Sequence, residues 1–152
     1  MITVRRSIIP DVATLSKTLR PEDEAEVRAA AGIAPFRALM LGYTTSTECF
    51  TIYEEETGRP VGMFGHRIVE KNVCASIWLL ASTHLVQHKW KFLRESRRWL
   101  DHIHSQTPLL FNVVDQRNTL HLRWIEWLGF KFIRVIPDYG TEKRPFVEFA
   151  KV

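Results

Sequence analysis

Asn118-Thr-Leu-His-Leu-Arg-Trp-Ile-Glu-Trp-Leu-Gly129-Phe130 is the stretch that decides the fold of this 152-residue chain. Residues 118–128 predict a helix, and Gly129 stands where a left-handed residue commonly ends one. Residues 130–136 are apolar and β-prone, and predict a strand. A helix that passes through a glycine directly into a strand indicates an α/β domain.

The residues before this joint predict the middle of a sheet. Residues 72–82 form a nearly continuous apolar run, which is typical of a central strand buried on both faces. Residues 108–114 predict a second apolar strand. Between the two, residues 84–104 carry an apolar stripe opposite a basic one and predict one long amphipathic helix.

The remaining residues complete one compact α/β unit without internal repeats. Their patterns predict a strand at 2–7, two short helices at 11–19 and 22–31, a hairpin of strands at 48–53 and 60–69, and a last strand at 145–151. The order is therefore strand, two helices, three strands, helix, strand, helix and two strands. We expect a single domain over residues 1–152.

The composition excludes several classes of protein. The 45% hydrophobic content suffices for one core, and a net charge of +4 does not by itself imply nucleic-acid binding. The longest apolar stretch, residues 73–81, is far shorter than the roughly 20 residues that cross a bilayer. No apolar secretion signal follows the first basic residues. With only Cys49 and Cys74, we expect reduced thiols and a cytoplasmic protein without a membrane span.

Three polar features have a functional and a structural interpretation. His84 and His88 could face one metal ion, but no third ligand is evident, so we expect no metal. Residues 54–56, three glutamates, are interpreted as an exposed hairpin tip. A basic helix face could contact nucleic acid, although the modest net charge favours a solvated surface; it comprises Lys89, Lys91, Arg94, Arg97 and Arg98.

The order of elements and the joint at residues 118–130 resemble the GNAT family of acyltransferases, whose last helix opens at an Asn and closes in Gly-Phe before a strand. The resemblance implies a single GNAT-like domain of the α/β class, with a mixed, mostly antiparallel central sheet flanked by helices. It also implies a cofactor cleft where strand 72–82 splays from strand 108–114. The cofactor-binding candidates implied in this way are Leu80, Ala81, Ser82, Gln87 and Asn118.

Nearly the whole chain is also similar to a small group of tailed-bacteriophage GNAT-like proteins, which includes an internal virion protein of short-tailed phages. The similar segments are the opening Ile-Thr-Val-Arg, Ala30-Ala31-Gly32-Ile33-Ala34-Pro35, Trp78-Leu79-Leu80-Ala81-Ser82-Thr83, and Asn118 with His121, Arg123 and Gly129. This similarity implies phage structural proteins as partners. It also implies a location in the host cytoplasm or in the virion.

Three positions at which GNAT enzymes carry catalytic equipment lack it here. The family's phosphate loop has two small residues, because only small residues let backbone amides approach a pyrophosphate closely. The nearest match, residues 87–92, has Trp90 and Phe92 there. The family's acid, a Tyr seven residues after the Asn, corresponds to Ile125, and residues 72–82 contain no carboxylate to act as base. Tyr139, expected in a late loop, is an alternative acid.

These gaps leave two hypotheses of different classes. The first is a catalytically degenerate phage protein that needs no cofactor, has no catalytic residue and uses the GNAT fold for a structural or assembly role in or around the virion. The second is an acetyl-CoA-dependent N-acetyltransferase that acts on a small-molecule or protein amine. The missing groups favour the first hypothesis, and the fold alone favours neither.

Overall fold

Seven strands and six helices form the fold in a computed structural model, which describes all 152 residues. The strands are β1 (Ile2–Arg6), β2 (Glu48–Glu54), β3 (Pro60–Glu70), β4 (Cys74–Ala81), β5 (Leu109–Asp115), β6 (Lys131–Tyr139) and β7 (Arg144–Lys151). The helices are α1 (Ile9–Ser16), α2 (Pro21–Ala31), α3 (Pro35–Thr45), α4 (Thr83–Val86), α5 (Lys89–His104) and α6 (Thr119–Trp127). None of the helices is both long and apolar enough to span a membrane.

The strands form one sheet in the order β1-β2-β3-β4-β5-β7-β6. Every neighbouring pair is antiparallel except β4 and β5, which are parallel and joined through α4 and α5. β4 is therefore the middle strand, as its apolar run predicted. The expected α/β class with a mixed, mostly antiparallel sheet is confirmed.

β4 and β5 separate soon after they begin to pair. Their register runs only from Cys74 opposite Leu109 to Ser76 opposite Phe111. One residue further, the side-chain amide of Asn112 donates a hydrogen bond to the carbonyl of Ile77, where a strand-to-strand bond would otherwise form. The last part of β4 thus has no strand partner on this side, which confirms the predicted splay.

The helices cover the two faces of the sheet in separate groups. On one face, α1 and α3 pack against β3 and β4 through a core that includes Leu15, Leu39 and Met63. On the other face, α5 and α6 contribute Phe92 and Trp124, among others, to a core over the same central strands. α6 ends at a positive φ of 93° at Gly129, as its sequence predicted.

Three local predictions were wrong. A third helix, α3, precedes β2: Pro35 stands in its first turn, residues 37–41 are strong helix formers, and Leu39 is fully buried. The predicted helix over residues 84–104 is broken into α4 and α5, since His88 leaves helical geometry with φ −111° and ψ 21°. Tyr139 ends β6 instead of lying in a loop, and its ring packs against Phe146 at 4.7 Å between centroids.

Candidate functional site

A cavity of about 580 Å³ crosses the sheet at the gap between β4 and β5. Its walls come from both faces, and most of the lining residues are apolar. On the α5–α6 side the lining includes Phe92, Ser96, Trp99, His121 and Trp124; on the other side it includes Glu26, Val27, Ala30, Ala38 and Trp78. The volume lies in the range of about 300 to 1,000 Å³ that is typical of small-molecule sites.

The open edge of β4 leaves backbone hydrogen-bonding groups at this gap. The N–H of Ala81 donates to Asp23 and its carbonyl accepts from the N–H of Arg20, so both groups of Ala81 point away from β3. Every second residue of an antiparallel strand shares that direction. The N–H and carbonyl of Leu79 therefore face the gap, where β5 no longer pairs with β4.

A buried polar network lies where the start of α2 meets the start of α6, and it consists of Arg20, Asp23, Glu26, Asn118 and His121. The Arg20 guanidinium donates to Asp23 at 2.9 Å and to the Asn118 side-chain oxygen at 3.3 Å. The Asn118 amide nitrogen in turn donates to Asp23 at 3.0 Å. These side chains come from opposite ends of the chain and fix α2 against α6 at the edge of the cavity.

Glu26 is one of two members of this polar network that line the cavity. Its Oε1 accepts hydrogen bonds from the N–H of Asp115 at 2.8 Å and from the Asn118 amide at 3.4 Å. Burial, with the nearby carboxylates of Asp23 and Asp115, raises the pKa of Glu26 to about 8 in spite of these hydrogen bonds. Glu26 is among the residues that line the cavity, so a carboxyl with a raised pKa lies at the cavity wall.

His121 also lines the cavity, one helical turn after Asn118. Its Nε2 lies 3.5 Å from Asp23 and makes no hydrogen bond. Its ring stacks on Trp124 with 5.5 Å between centroids. Because burial lowers the pKa of His121, the imidazole is neutral at pH 7.

The two rings at the small positions of the family's phosphate loop lie in different surroundings. Trp90 is 62% exposed and contacts the Lys89 ammonium, which lies 5.4 Å from the centre of the ring. Phe92 is 8% exposed and packs on Trp124 in the core. The backbone N–H groups of Lys89, Trp90 and Lys91 open α5 and have no partner within the helix.

The five cofactor-binding candidates from the sequence do not form one cluster of free groups. Leu80 lines the cavity and Ala81 ends β4, but the amide of Ala81 is bound by Asp23. The Ser82 hydroxyl is buried and donates to the carbonyl of Val61. Gln87 is exposed between α4 and α5, and the Asn118 side chain belongs to the polar network.

The three glutamates, the two histidines and the basic helix face noted in the sequence have different surroundings. Glu54 is buried, so residues 54–56 are not simply an exposed tip: hydrogen bonds from Arg59 lower the pKa of Glu54, and His88 approaches it at 3.2 Å. His84 and His88 belong to no group of three metal-binding side chains. Four basic residues of α5 are largely exposed, namely Lys89, Arg94, Arg97 and Arg98, whereas Lys91 is partly buried at the cavity.

Glu26 was not among the candidates predicted from the sequence, although a signal for it was present. Asp23, Glu26, Val27 and Ala30 follow one another at helical spacings of three, one and three residues, and this face of α2 points inward. Two carboxylates on the inner face of a helix need partners or a function, because unpaired buried carboxylates are costly. Without a family template in mind, that pattern would have indicated that α2 contributes to a buried polar site.

A single α/β domain whose parallel central strands part over a cavity is the arrangement of the GNAT fold, and solved structures confirm the fold. A GNAT-family acetyltransferase from Bacillus anthracis superposes with a TM-score of 0.73 at 11% identity, over 99% of this chain and 94% of that one. Ard1 from Thermoplasma volcanium gives 0.72 at 15% identity, over 99% and 96%.

The IAA acetyltransferase from Bacillus cereus gives a TM-score of 0.64 at 13% identity, over 99% of this chain and 98% of that one. No family model matches the sequence, and the search of curated proteins finds no match. The narrower similarity to bacteriophage proteins gains no support from these comparisons. At such low identity the similarities establish the fold, and function has to be argued from the site.

Proposed function

We propose that this protein is an acyl-CoA-dependent N-acyltransferase whose reaction takes place at the gap between β4 and β5. The observation that carries the proposal is the cavity through the sheet with the Glu26 carboxyl on its wall. A cavity lined from both faces of the sheet would let an acyl donor and an amine approach each other from opposite sides. The acetyltransferases that share the fold support the same choice.

The residues present fit acetyl-CoA as the acyl donor. The exposed N-terminal amides of α5, at Lys89 to Lys91, would hold its phosphates, and the free backbone groups of Leu79 would bind the amides of its pantetheine arm. Trp90 projects into solvent, and Phe92 packs on Trp124 at the cavity wall, so neither ring fills the gap between β4 and β5. Acetyl-CoA would supply the acyl group as a thioester, whose carbon–sulfur bond breaks as the amide carbon–nitrogen bond forms.

Glu26 is the group that we assign to proton transfer. Amines arrive as ammonium ions and must lose one proton before the nitrogen can attack and a second as the amide forms. One proton leaves with the thiol product, and the other goes to the Glu26 carboxylate and then to solvent. A pKa of about 8 suits this role, because acid–base groups work best when their pKa lies near the working pH.

Isothermal titration with acetyl-CoA tests binding, and thiol release in the presence of a panel of primary amines tests transfer. We expect saturable binding and amine-dependent turnover. Glu26→Gln should lower kcat by roughly 10²- to 10⁴-fold with an unchanged Kd for acetyl-CoA. The matched control is Glu24→Gln, which changes an exposed glutamate of the same helix. Absence of saturable acetyl-CoA binding by the intact protein would overturn the proposal.

A second candidate function is the structural role in a bacteriophage particle, with other virion proteins as partners. One observation favours it: the edge strand β6 exposes Phe132, Ile133 and Val135, an apolar surface that a partner chain could cover. The apolar Ile125 at the position of the family's acid fits the same role. Mass spectrometry of purified virions and copurification from infected cells test it, and amine acetylation by the isolated protein would argue against a purely structural role.

A further inference from the structure

The two sides of the cavity differ in the side chains that they present. On the α5 side the lining includes the charged residues Lys91, Glu95 and Arg98. On the α2–α3 side, Glu26 is the one charged residue that the two helices contribute. The remainder of this half, called the α2–α3 chamber from here on, is walled mainly by Val27, Ala30, Ala31, Ile33, Ala38 and Leu41.

The residues that line the α2–α3 chamber range from exposed ones to partly buried ones. Ala31 and Leu41 are exposed and form its outer rim, whereas Val27 and Ala30 are partly buried further in. Glu26 lies at the inner end, since its carboxyl is held by Asp115 at the end of β5. A molecule that enters between α2 and α3 therefore meets apolar walls first and a carboxyl last.

The Trp78 ring lines the α2–α3 chamber with apolar surface. Its ring lies directly on α3, so closely that a Cβ on Gly42 would come within 2.6 Å of Cζ2. The indole N–H is already used, because it donates to the Ser46 hydroxyl at 2.8 Å. A ligand in contact with this ring thus meets apolar surface without an unsatisfied donor.

We propose that the α2–α3 chamber binds the acyl acceptor, and that the acceptor is a primary amine on an apolar body, such as an arylalkyl or branched alkyl amine. This inference rests on the proposed transfer function, because it identifies the amine of that reaction. The one carboxyl at the inner end can accept a hydrogen bond from one ammonium group. A second ammonium of a polyamine, or the hydroxyls of an amino sugar, would lie unpaired against apolar walls, which is unfavourable.

Binding of four amines to the full chain tests the acceptor class by isothermal titration. The apolar probes are 2-phenylethylamine and isopentylamine, and the polar ones are spermidine and ethanolamine. We expect the apolar amines to bind at least tenfold more tightly than either polar amine. Equal affinity for all four amines, tighter binding of spermidine, or no amine binding at all would overturn the inference.

Two variants that replace a small lining residue by Phe test whether the amine binds in the α2–α3 chamber. Ala38→Phe fills its wall and Ala31→Phe narrows its rim, and each should weaken 2-phenylethylamine at least tenfold. Ala31 is exposed, so its variant should fold even where Ala38→Phe does not. Ala34→Phe is the matched control, because exposed Ala34 lies between the same helices without lining the cavity. Unchanged affinity in folded Ala31→Phe would contradict the proposed location.

The acetyl-CoA titration separates this inference from the proposed function. Binding of apolar amines that Ala31→Phe weakens, without any acetyl-CoA binding, supports the chamber and overturns the transferase. Acetyl-CoA binding and turnover with a preference for spermidine supports the transferase and overturns the acceptor class. Loss of amine affinity with retained acetyl-CoA affinity in Ala31→Phe and Ala38→Phe is the result that both proposals predict.

Discussion

The junction between α4 and α5 and the polar network between α2 and α6 are two separate regions of the molecule, and they differ in the side chains that they bury. At the α4–α5 junction Gln87 and Trp90 are exposed, and the buried side chains, such as Leu85 and Phe92, are apolar. The polar network buries a hydrogen-bonded ion pair and amide, together with an imidazole whose Nε2 makes no hydrogen bond. The family template directs attention to the first region, whereas the groups able to move a proton are in the second.

The difference shows that a fold fixes the place of a cleft more firmly than the side chains around it. The splay follows from the strand order and from Asn112, whose amide takes the place of a strand partner. The proposed proton transfer requires only a carboxyl that reaches the same gap from any element of the fold. Here α2 supplies Glu26 from one face, while β4 supplies no carboxylate.

The largest expected effect comes from removing the charge at the centre of the polar network. Asp23→Ala leaves Arg20 buried without its closest carboxylate, and breaking a buried ion pair in this way typically costs about 3 to 5 kcal/mol of unfolding free energy. Denaturant melts measure the loss. The control is Glu24→Ala, whose exposed pair with Arg28 should contribute less than about 1 kcal/mol. Similar losses of unfolding free energy in the two variants would show that the buried ion pair of the network contributes no more than the exposed pair.

The next effect is a pH dependence of stability caused by Glu26. Its pKa rises from 4.5 to about 8 on folding, so between these values the native state holds a proton that the unfolded chain has released. Stability due to this group is therefore greatest at low pH and declines as pH rises through the window. The unfolding free energy of Glu26→Gln should therefore fall less between pH 5 and pH 8 than that of the unchanged protein. At about 1.4 kcal/mol per pKa unit, the difference between the two should be a few kcal/mol. If the two proteins lose stability in parallel as the pH rises, the pKa of Glu26 in the native state is that of an ordinary solvent-exposed carboxyl.

The sequence predicted the fold well and the site poorly, and the reasons differ. The central apolar strand β4 and the closure of α6 at Gly129 depend on apolar periodicity and local backbone geometry, which a single sequence displays. The splay of β4 from β5 and the mixed, mostly antiparallel sheet were implied by the family resemblance. The polar network joins Asp23 to Asn118 across 95 positions, and no local pattern displays such a contact. The family template also drew attention to residues 87–92 and away from the inner face of α2.

A smaller effect is expected at the far end of α6, away from the polar network. Gly129 has φ 93°, and a Cβ there would lie 3.3 Å from the Lys151 ammonium nitrogen. Gly129→Ala should therefore cost about 1 kcal/mol or somewhat more, chiefly through the backbone conformation. The matched control is Gly58→Ala, with φ 70° in an open turn, where only the conformational cost applies. A larger loss at Gly58 than at Gly129 would contradict this account.

The smallest effect is expected at Trp90, the residue that the family template identifies as the main obstruction. Because its ring is 62% exposed, Trp90→Ala should change the unfolding free energy by about 0.5 kcal/mol or less and the Kd for acetyl-CoA by less than threefold. Phe92→Ala, two residues further, should cost about 3 to 5 kcal/mol because that ring fills the core beside Trp124. Melting curves and titrations of the two variants compare them directly. If Trp90→Ala instead creates or greatly strengthens acetyl-CoA binding, the ring covers the α5 N-terminus in solution, and the α4–α5 junction controls access to the gap after all.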